Sequence, residues 1–313
     1  MTGEETEPSI SHIESLPVID DDVIVTSLAW HPTALDQLAV TLTNGNVNII
    51  LAPSSIFGGR DVSSHHTKQI SEDNNHTTTH MQHSLEAWTS IILPSNWPYS
   101  GLLSGGDDAV LAYSPLPSNH VQHDDEPPQP EHLSSWSNRR IHSAGVTAIL
   151  PLPIKAASMF VCLTGSYDDH LRVLSLPGLP GATHVRQPQV LHEIDLGGGV
   201  WRLKLITEST QVTTHGRRCI FTILVSCMYA GAKIVELSLR VNNGNRDGAG
   251  VWESRVVAMF SEHQSMCYAC DVQESCVADV EKGGAGGGAG GGTARRILSC
   301  SFYDRRLCLW RWN

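Results

Sequence analysis

The chain carries little charge, and most of that charge is acidic. Charged residues make up 17% of its 313 residues, and the formal net charge is −11 at pH 7. A nucleic-acid-binding protein needs a basic stripe that displaces counterions from phosphates. The basic pairs Arg217-Arg218 and Arg295-Arg296 are isolated. The composition therefore argues against nucleic acid as a partner.

Long apolar runs are also lacking. No run approaches the roughly 20 residues that a membrane helix needs, and the stretch from Met1 to Ser11 is acidic and polar, unlike a signal peptide. We therefore expect a cytoplasmic protein with no membrane partner.

The eight cysteines fit an intracellular protein. Four of them interrupt apolar strand patterns, where free cysteine behaves as a small hydrophobic residue. The pair Cys267-Tyr-Ala-Cys270 has the spacing of a zinc knuckle, but no second pair lies at metal-binding distance along the chain. We interpret this pair as strand residues, with a metal or redox role as the alternative, and expect no metal.

Five stretches repeat one plan, in which an apolar strand, a turn of small and acidic residues, and a second apolar strand follow one another. Three copies are closely similar: LLSGGDDAVLAY at 102–113, CLTGSYDDHLRVL at 162–174 and LSCSFYDRRLCLW at 298–310. Two degenerate copies span 38–50 and 224–237. A repeated unit cannot bury its apolar face alone, so it stacks on its neighbours.

A further apolar strand opens each unit. Short strands at this spacing predict an all-β fold, a β-propeller built of four-stranded blades. About five blades are visible, near residues 23–52, 85–115, 142–176, 198–238 and 264–312.

Polar segments separate the predicted blades. We interpret residues 53–84, 116–140, 241–250 and 283–292 as insertions, and residues 1–20 as a disordered N-terminal tail. The first insertion is rich in histidine, but its irregular spacing favours a solvated loop over a metal site.

Acidic residues recur in the predicted turns. Asp108, Asp169 and Asp304 occupy them, with Asp107 and Asp168 alongside. A carboxylate at a tight turn accepts backbone N–H bonds and tolerates the turn dihedrals. Recurrence in different blades favours a structural role, although paired acids also suit metal or base chemistry.

An ordered set of short motifs resembles the WD-repeat diphthine methyl ester hydrolase family, historically called diphthine methyltransferase. The set runs from about residue 84 to the C-terminus and includes EAW at 86–88, GGDD at 105–108, GSYDDH at 165–170, GGGVWRLK at 197–204 and CSFYD at 300–304. A single GGDD is weak evidence for this family, but GGGVWRLK between GSYDDH and CSFYD is specific to it.

The resemblance implies a seven-bladed WD-repeat propeller, of which about five blades are visible, so we expect a chain truncated before residue 20. It also implies a reaction, which is hydrolysis of the methyl ester of methylated diphthine, carried on a modified histidine of elongation factor 2. Methanol and diphthine are the products, and the reaction needs no cofactor. Elongation factor 2 is then the expected partner of a monomeric enzyme.

The same resemblance suggests where the site lies, because inner strands of WD blades begin on the face to which the acidic turns point. Ester hydrolysis needs an activated nucleophile, a base and donors for the oxyanion, and no Gly-x-Ser-x-Gly elbow is present. We assign His142 as general base and Arg202 as the oxyanion or carboxylate partner. Glu86, Trp88, Trp201 and Tyr268 are assigned to substrate binding, the first three around the trimethylammonium group.

The sequence also allows other interpretations of these residues and of the whole chain. His142 suits a hydrogen bond to a turn aspartate, Trp88 and Trp201 suit packing, and Arg202 suits an ion pair. The whole chain suits a non-catalytic WD-repeat scaffold or an endosomal trafficking adaptor, although no basic or lipidated segment supports the adaptor.

Overall fold

A computed structural model describes ten stretches of the chain. They cover residues 22–34, 36–51, 77–93, 101–116, 135–154, 160–176, 187–214, 216–242, 250–273 and 295–312. Within these stretches the regular structure is entirely β, as the sequence predicted. No helix in the described stretches has the length and apolar character of a membrane span.

In the described stretches, nineteen strands form five antiparallel sheets, which we call blades 1 to 5 in chain order. Blade 1 contains β1 (Val25–Trp30), β2 (Gln37–Leu42), β3 (Asn46–Leu51) and β4 (Thr77–Gln82). Blade 2 contains β5 (Ala87–Ile92), β6 (Gly101–Gly106), β7 (Leu111–Pro115) and β8 (Trp136–Asn138).

Blade 3 contains β9 (Val146–Pro151), β10 (Phe160–Ser166), β11 (His170–Leu176) and β12 (Gln189–Asp195). Blade 4 contains β13 (Arg202–Thr213), β14 (Gly216–Ser226), β15 (Ala232–Asn242) and β16 (Val251–Phe260). The described part of blade 5 contains β17 (Cys267–Val272), β18 (Arg295–Ser301) and β19 (Arg306–Trp312).

The blades follow one another around an axis. Each inner strand contacts the next inner strand along the chain, so that β1 contacts β5, β5 contacts β9, β9 contacts β13 and β13 contacts β17. Within each blade the strands pair in simple meander order. This is the β-propeller arrangement that the repeats predicted, with five blades in the described residues.

Most of the core lies between blades. Leu163 and Val173 of blade 3 share a buried cluster with Phe221 and Ile223 of blade 4, and similar clusters join blades 1 to 2, 2 to 3 and 4 to 5. Each sheet thus buries one face against each neighbour, as stacked repeats require. Leu28 and Leu309 on the two end blades are instead 65% and 70% exposed.

The outer strands extend beyond the predicted blade limits. β4 lies inside the predicted insertion 53–84, β8 lies inside 116–140, and β12 and β16 follow predicted blade ends at 176 and 238. β4 and β8 are poor in apolar residues because solvent covers much of them, and so they read as loops, whereas β16 (VWESRVVAMF) is apolar and lies beyond the predicted end of its blade. The remainder of the predicted insertions and the predicted tail at 1–20 lie largely or wholly outside the described residues.

A tight hairpin joins the second strand to the third in every blade. The turn contains one residue in the left-handed region, with φ between 55° and 85°. These residues are Gly45, Ala109, Asp169, Gly231 and Arg305. All five hairpins lie at the end of the blades where the inner strands begin, so the turns and the inner-strand starts share one face, which we call the mouth.

Candidate functional site

Irregular pairing marks the start of the inner strands at the mouth. The register between first and second strands shifts at Trp88 in blade 2 and at Tyr268 in blade 5, and at Thr26 and Thr147 in blades 1 and 3. A β-bulge of this kind re-aims a side chain. Trp201 directly precedes β13 and donates its backbone N–H to the Ser226 carbonyl.

Threonines at the bulges tie neighbouring blades together. The Thr26 hydroxyl donates to the Ala87 carbonyl of blade 2, and the Thr147 hydroxyl donates to the Val200 carbonyl of blade 4. The larger aromatic residues at the corresponding positions of blades 2, 4 and 5 are free to project toward the axis.

Those aromatic side chains form one cluster around Trp201. The ring centroids of Trp88, Tyr167 and Tyr268 lie 5.5, 5.6 and 5.3 Å from that of Trp201. The Tyr268 ring meets Trp201 edge-on, at 78°, and also lies 6.2 Å from Tyr303. The structure therefore brings Trp88, Trp201 and Tyr268 together, and their assignment to substrate binding stays a prediction.

Arg202 reaches the same cluster from the first residue of β13. Its guanidinium carbon lies 5.3 Å from the Trp201 ring centroid, and its Nη1 lies 3.2 Å from the Trp201 carbonyl and 3.4 Å from that of Thr147. Arg202 directly follows Trp201. The residue that directly follows the bulge in each of the other inner strands is smaller: Ser27, Thr89, Ala148 and Ala269.

The charge of Arg202 has no close counter-ion in the described residues. No carboxylate there lies within ion-pair distance of its guanidinium. Burial lowers the pKa of Arg202, while Tyr167 and Cys270 act in the opposite direction. Arginine stays protonated across the working pH range of proteins. The mouth therefore holds a partly buried cation, and its hydrogen bonds to described residues engage only its Nη1.

Two carboxylates border the cluster on the blade 2 side. The Trp88 indole donates to Asp107 Oδ1 at 3.0 Å, and the Asp107 backbone N–H donates to the Glu86 carbonyl at 2.8 Å. Burial raises the pKa of Tyr167, and the negative charges of Asp107 and Glu86 raise it further. The Tyr167 phenol therefore keeps its proton near neutral pH.

An apolar cavity of about 860 Å³ adjoins the cluster between blades 4 and 5. Burial raises the pKa of Tyr268 in its wall to about 12, with a further contribution from Tyr303. The cavity is lined by Trp201, Tyr268, Cys300, Ser301, Phe302, Tyr303 and Arg305. Its volume suits an amino-acid side chain with the backbone next to it.

His142 does not join this site, which corrects its assignment as general base. Its side chain is fully buried, with Nε2 2.8 Å from Thr164 Oγ1 and Nδ1 3.2 Å from Asp168 Oδ2. Burial lowers the pKa of His142. Because both ring nitrogens are engaged inside blade 3, neither can accept a proton from a water at the mouth.

The whole network recurs in blade 2, and its histidine–hydroxyl contact recurs in blade 5, so it is structural. In blade 2, His83 lies 3.0 Å from Asp108 and 2.8 Å from Ser104. In blade 5, His263 lies 2.8 Å from Ser299, which also accepts from the Trp310 indole at 3.2 Å. The alternative interpretation of His142, a hydrogen bond to a turn aspartate, describes the structure.

Two of the three predicted turn acids accept backbone N–H bonds in their turns, and the third does not. Asp108 accepts from the backbone N–H of Ser84 and Val110, and Asp304 accepts from those of Gln264 and Arg306. In blade 3 this role belongs to Asp168, which accepts from Ser143 and His170. Asp169 instead supplies the left-handed turn residue, with φ of 66°, so its predicted carboxylate role is corrected.

The cysteines near the site are thiols. Burial raises the pKa of Cys227 and Cys267 to about 12, and it raises the pKa of Cys270 as well. The pair Cys267 and Cys270 lies in strand β17. Within the part of the chain that the structure describes, no three His, Cys, Asp or Glu side chains are placed to hold a metal ion.

Sequence reasoning missed Asp107 and Tyr167 as residues of the mouth. Both precede the turn aspartate of their blade by one position. The doubled acid in GGDD was the available signal, because one carboxylate is enough to build the turn.

No protein-family model matches the chain. Two curated relatives match most of its length. The chain is 28% identical over 298 residues to the diphthine methyltransferase of Schizosaccharomyces pombe, covering 95% of this chain and 67% of that protein. It is 27% identical over 326 aligned positions to the diphthine methyltransferase of Saccharomyces cerevisiae, covering 97% and 72%.

A solved structure of the mitotic checkpoint complex contains a chain that superposes with a TM-score of 0.43 and 15% identity, covering 94% of this chain and 76% of that one. The propeller assignment rests on the strand order and blade contacts described above.

Proposed function

Because this chain is a WD-repeat protein of the diphthine methyltransferase family, we propose that it acts in diphthamide biosynthesis by hydrolysing the methyl ester of methylated diphthine. The substrate is carried on the modified histidine of elongation factor 2. Water replaces the methoxy group, and the products are methanol and diphthine.

One observation supports the proposal above all: the guanidinium of Arg202 lies against the aromatic cluster and forms no ion pair with any described carboxylate. An ester carbonyl gains negative charge when water attacks it, and a preorganised donor in a partly dry site stabilises that charge. The product carboxylate is a bidentate partner for the same guanidinium. Arg202 therefore fits both the transition state and the product of this reaction.

The aromatic cluster fits the other half of the substrate. Methylated diphthine carries a trimethylammonium group, and such cations bind aromatic faces with about 0.5–2 kcal/mol per ring. Arg202 already lies over Trp201, so repulsion between the two cations has to be offset. The carboxylates of Glu86 and Asp107 on the blade 2 side supply the opposite charge.

The cavity between blades 4 and 5 supports a protein-borne substrate. Phe302 and Tyr303 on its wall are 76% and 63% exposed, and Tyr229 nearby in blade 4 is 78% exposed. Exposed aromatic residues around a site are typical of surfaces that bind other proteins. Elongation factor 2 would present its modified histidine here.

The test is methanol release from purified elongation factor 2 that carries methylated diphthine, with no methyl donor added. Wild-type protein should release methanol, and mass spectrometry of the modified histidine should show loss of the methyl ester. A substrate that stays methylated with fully folded protein would leave a scaffold as the better account.

Replacing Trp201 with leucine should lower kcat/KM in this assay by about tenfold, because the central ring of the cluster contributes about 1–2 kcal/mol of cation binding. Trp201→Phe should lose less, since it keeps an aromatic face. Trp30→Leu is the matched control, because Trp30 is 63% exposed at the far end of β1. Equal values for Trp201→Leu and Trp30→Leu would exclude the cluster from binding.

A further inference from the structure

The hairpin turns place one side chain from each blade at the mouth, two positions before the left-handed residue. In the five described turns these are Thr43, Asp107, Tyr167, Tyr229 and Tyr303. Asp107 is the only acid among them. An acid at that position in one blade alone calls for a reason that belongs to blade 2.

Turn architecture does not supply that reason. The neighbouring Asp108 already accepts from the Ser84 and Val110 backbone N–H groups and lies 3.0 Å from His83. In blades 3 and 5 a tyrosine stands at the Asp107 position, and those turns form equally well. Asp107 is therefore not required for the hairpin.

The surroundings of Asp107 hold its carboxylate toward the cluster. Its Oδ1 accepts from the Trp88 indole at 3.0 Å, and Trp88 packs against Trp201. A side chain at Gly145 would come within 2.9 Å of both Asp107 Oδ1 and the Tyr167 ring. The bare backbone at Gly145 thus lets Asp107 and Tyr167 lie side by side, and no described residue forms a hydrogen bond with Asp107 Oδ2.

We propose that Asp107 is the general base that activates the attacking water. This rests on the proposed function. Asp107 Oδ2 takes a proton from the water as its oxygen bonds to the ester carbonyl carbon, and Arg202 stabilises the oxyanion. The carbon–methoxy bond then breaks, and the proton on Asp107 passes to the departing methoxide. One ester and one water give one methanol and one carboxylic acid, which ionises.

Other groups at the mouth are less suited to this role. His142 is buried with both nitrogens engaged. Tyr167 and the nearby cysteines hold their protons, because burial raises the pKa of each. Among the described residues, Glu86 is the other carboxylate whose charge acts on Tyr167, and variants of both residues separate their roles.

The decisive variant is Asp107→Asn, because an asparagine carbonyl still accepts from the Trp88 indole but cannot take up a proton. We expect kcat for methanol release to fall roughly 10²-fold, and KM to rise as well, because the same carboxylate faces the trimethylammonium group. Glu86→Gln should raise KM, because it removes a charge from the cation site, while kcat should fall far less than in Asp107→Asn. Asp271→Asn is the matched control, since Asp271 is 69% exposed on β17, where it pairs with Lys204 and accepts the Val272 backbone N–H.

A second pair of variants separates catalysis from positioning. Trp88→Phe removes the donor to Asp107 and keeps its carboxylate. If Asp107 served only to hold Trp88, then Trp88→Phe and Asp107→Ala would be equally impaired and Asp107→Asn would be fully active. That result, or loss of kcat in Glu86→Gln alone, overturns the proposal. Absence of methanol with wild-type protein would instead reject the proposed function.

Discussion

Replacing Arg202 with alanine is expected to lower kcat for methyl-ester hydrolysis by roughly 10²–10³-fold, the usual cost of losing one preorganised oxyanion donor. The physical reason is that Arg202 is a partly buried cation beside the aromatic cluster. No carboxylate among the described residues forms an ion pair with it, so its charge is available to the substrate. Arg202→Lys should be intermediate, because lysine keeps the charge but lacks the planar fork.

Arg255→Ala is the control for this loss. Arg255 lies 68% exposed on the outer strand β16 and is paired with Glu236, so its removal should leave kcat unchanged. Thermal unfolding of each variant checks that the Arg202 carbonyl contacts are not needed for folding. Adding guanidinium ion to Arg202→Ala should restore part of the rate. A variant with full kcat would remove Arg202 from the reaction.

Replacing Asp168 with alanine is expected to lower the free energy of unfolding by about 3–5 kcal/mol at neutral pH. The carboxylate is 4% exposed, lies 2.7 Å from Arg172 Nη1 and 3.2 Å from His142 Nδ1, and accepts the Ser143 backbone N–H at 3.0 Å. Its loss leaves a nearly buried guanidinium and imidazole short of a partner. Asp169→Asn, which keeps a residue that tolerates the left-handed turn, should change stability by less than about 0.5 kcal/mol.

The effect of Asp168→Ala should depend on pH. Burial opposes ionisation of Asp168, but the hydrogen bonds from His142 and Ser143 and the charge of Arg172 outweigh it and lower its pKa. A carboxyl group with a lowered folded-state pKa stabilises the fold above its unfolded pKa of about 3.9, and the contribution fades as pH falls below that value. Urea unfolding of both proteins should show the stability difference shrinking below about pH 4. A difference that is constant from pH 7 to pH 3 would contradict an ionised Asp168.

The sequence predicted the parts of the fold that depend on local pattern. Stretches such as 162–174 contain two apolar strand segments with a turn of small and acidic residues between them. Neighbouring residues determine strand pleat and turn dihedral angles, so these patterns can be recognised locally. The outer strand β4 was not predicted, because it reads TTTHMQ and none of its side chains is fully buried. A strand that is hydrated on much of its surface has no apolar period to detect.

The candidate site was predictable only where topology fixes it. Trp88, Trp201 and Tyr268 were expected to converge because inner strands begin at one end of a propeller. The sequence could not show which of Asp168 and Asp169 accepts the backbone N–H bonds. The two are adjacent in the turn, and only their backbone dihedral angles distinguish them. Whether His142 points into its blade or toward the axis depends on the Thr164 and Asp168 contacts, and these form only when distant segments pack.

The central claim is that the mouth of the propeller is one pocket that holds the modified histidine. The most direct test is a titration of isotopically labelled protein with a peptide carrying diphthine, following the tryptophan indole N–H signals by NMR. The indole signals of Trp88 and Trp201 should shift along one binding curve, while those of Trp30 and the buried Trp252 in blade 4 stay in place. Unshifted Trp88 and Trp201 signals at saturating peptide, in protein that releases methanol, would contradict the account.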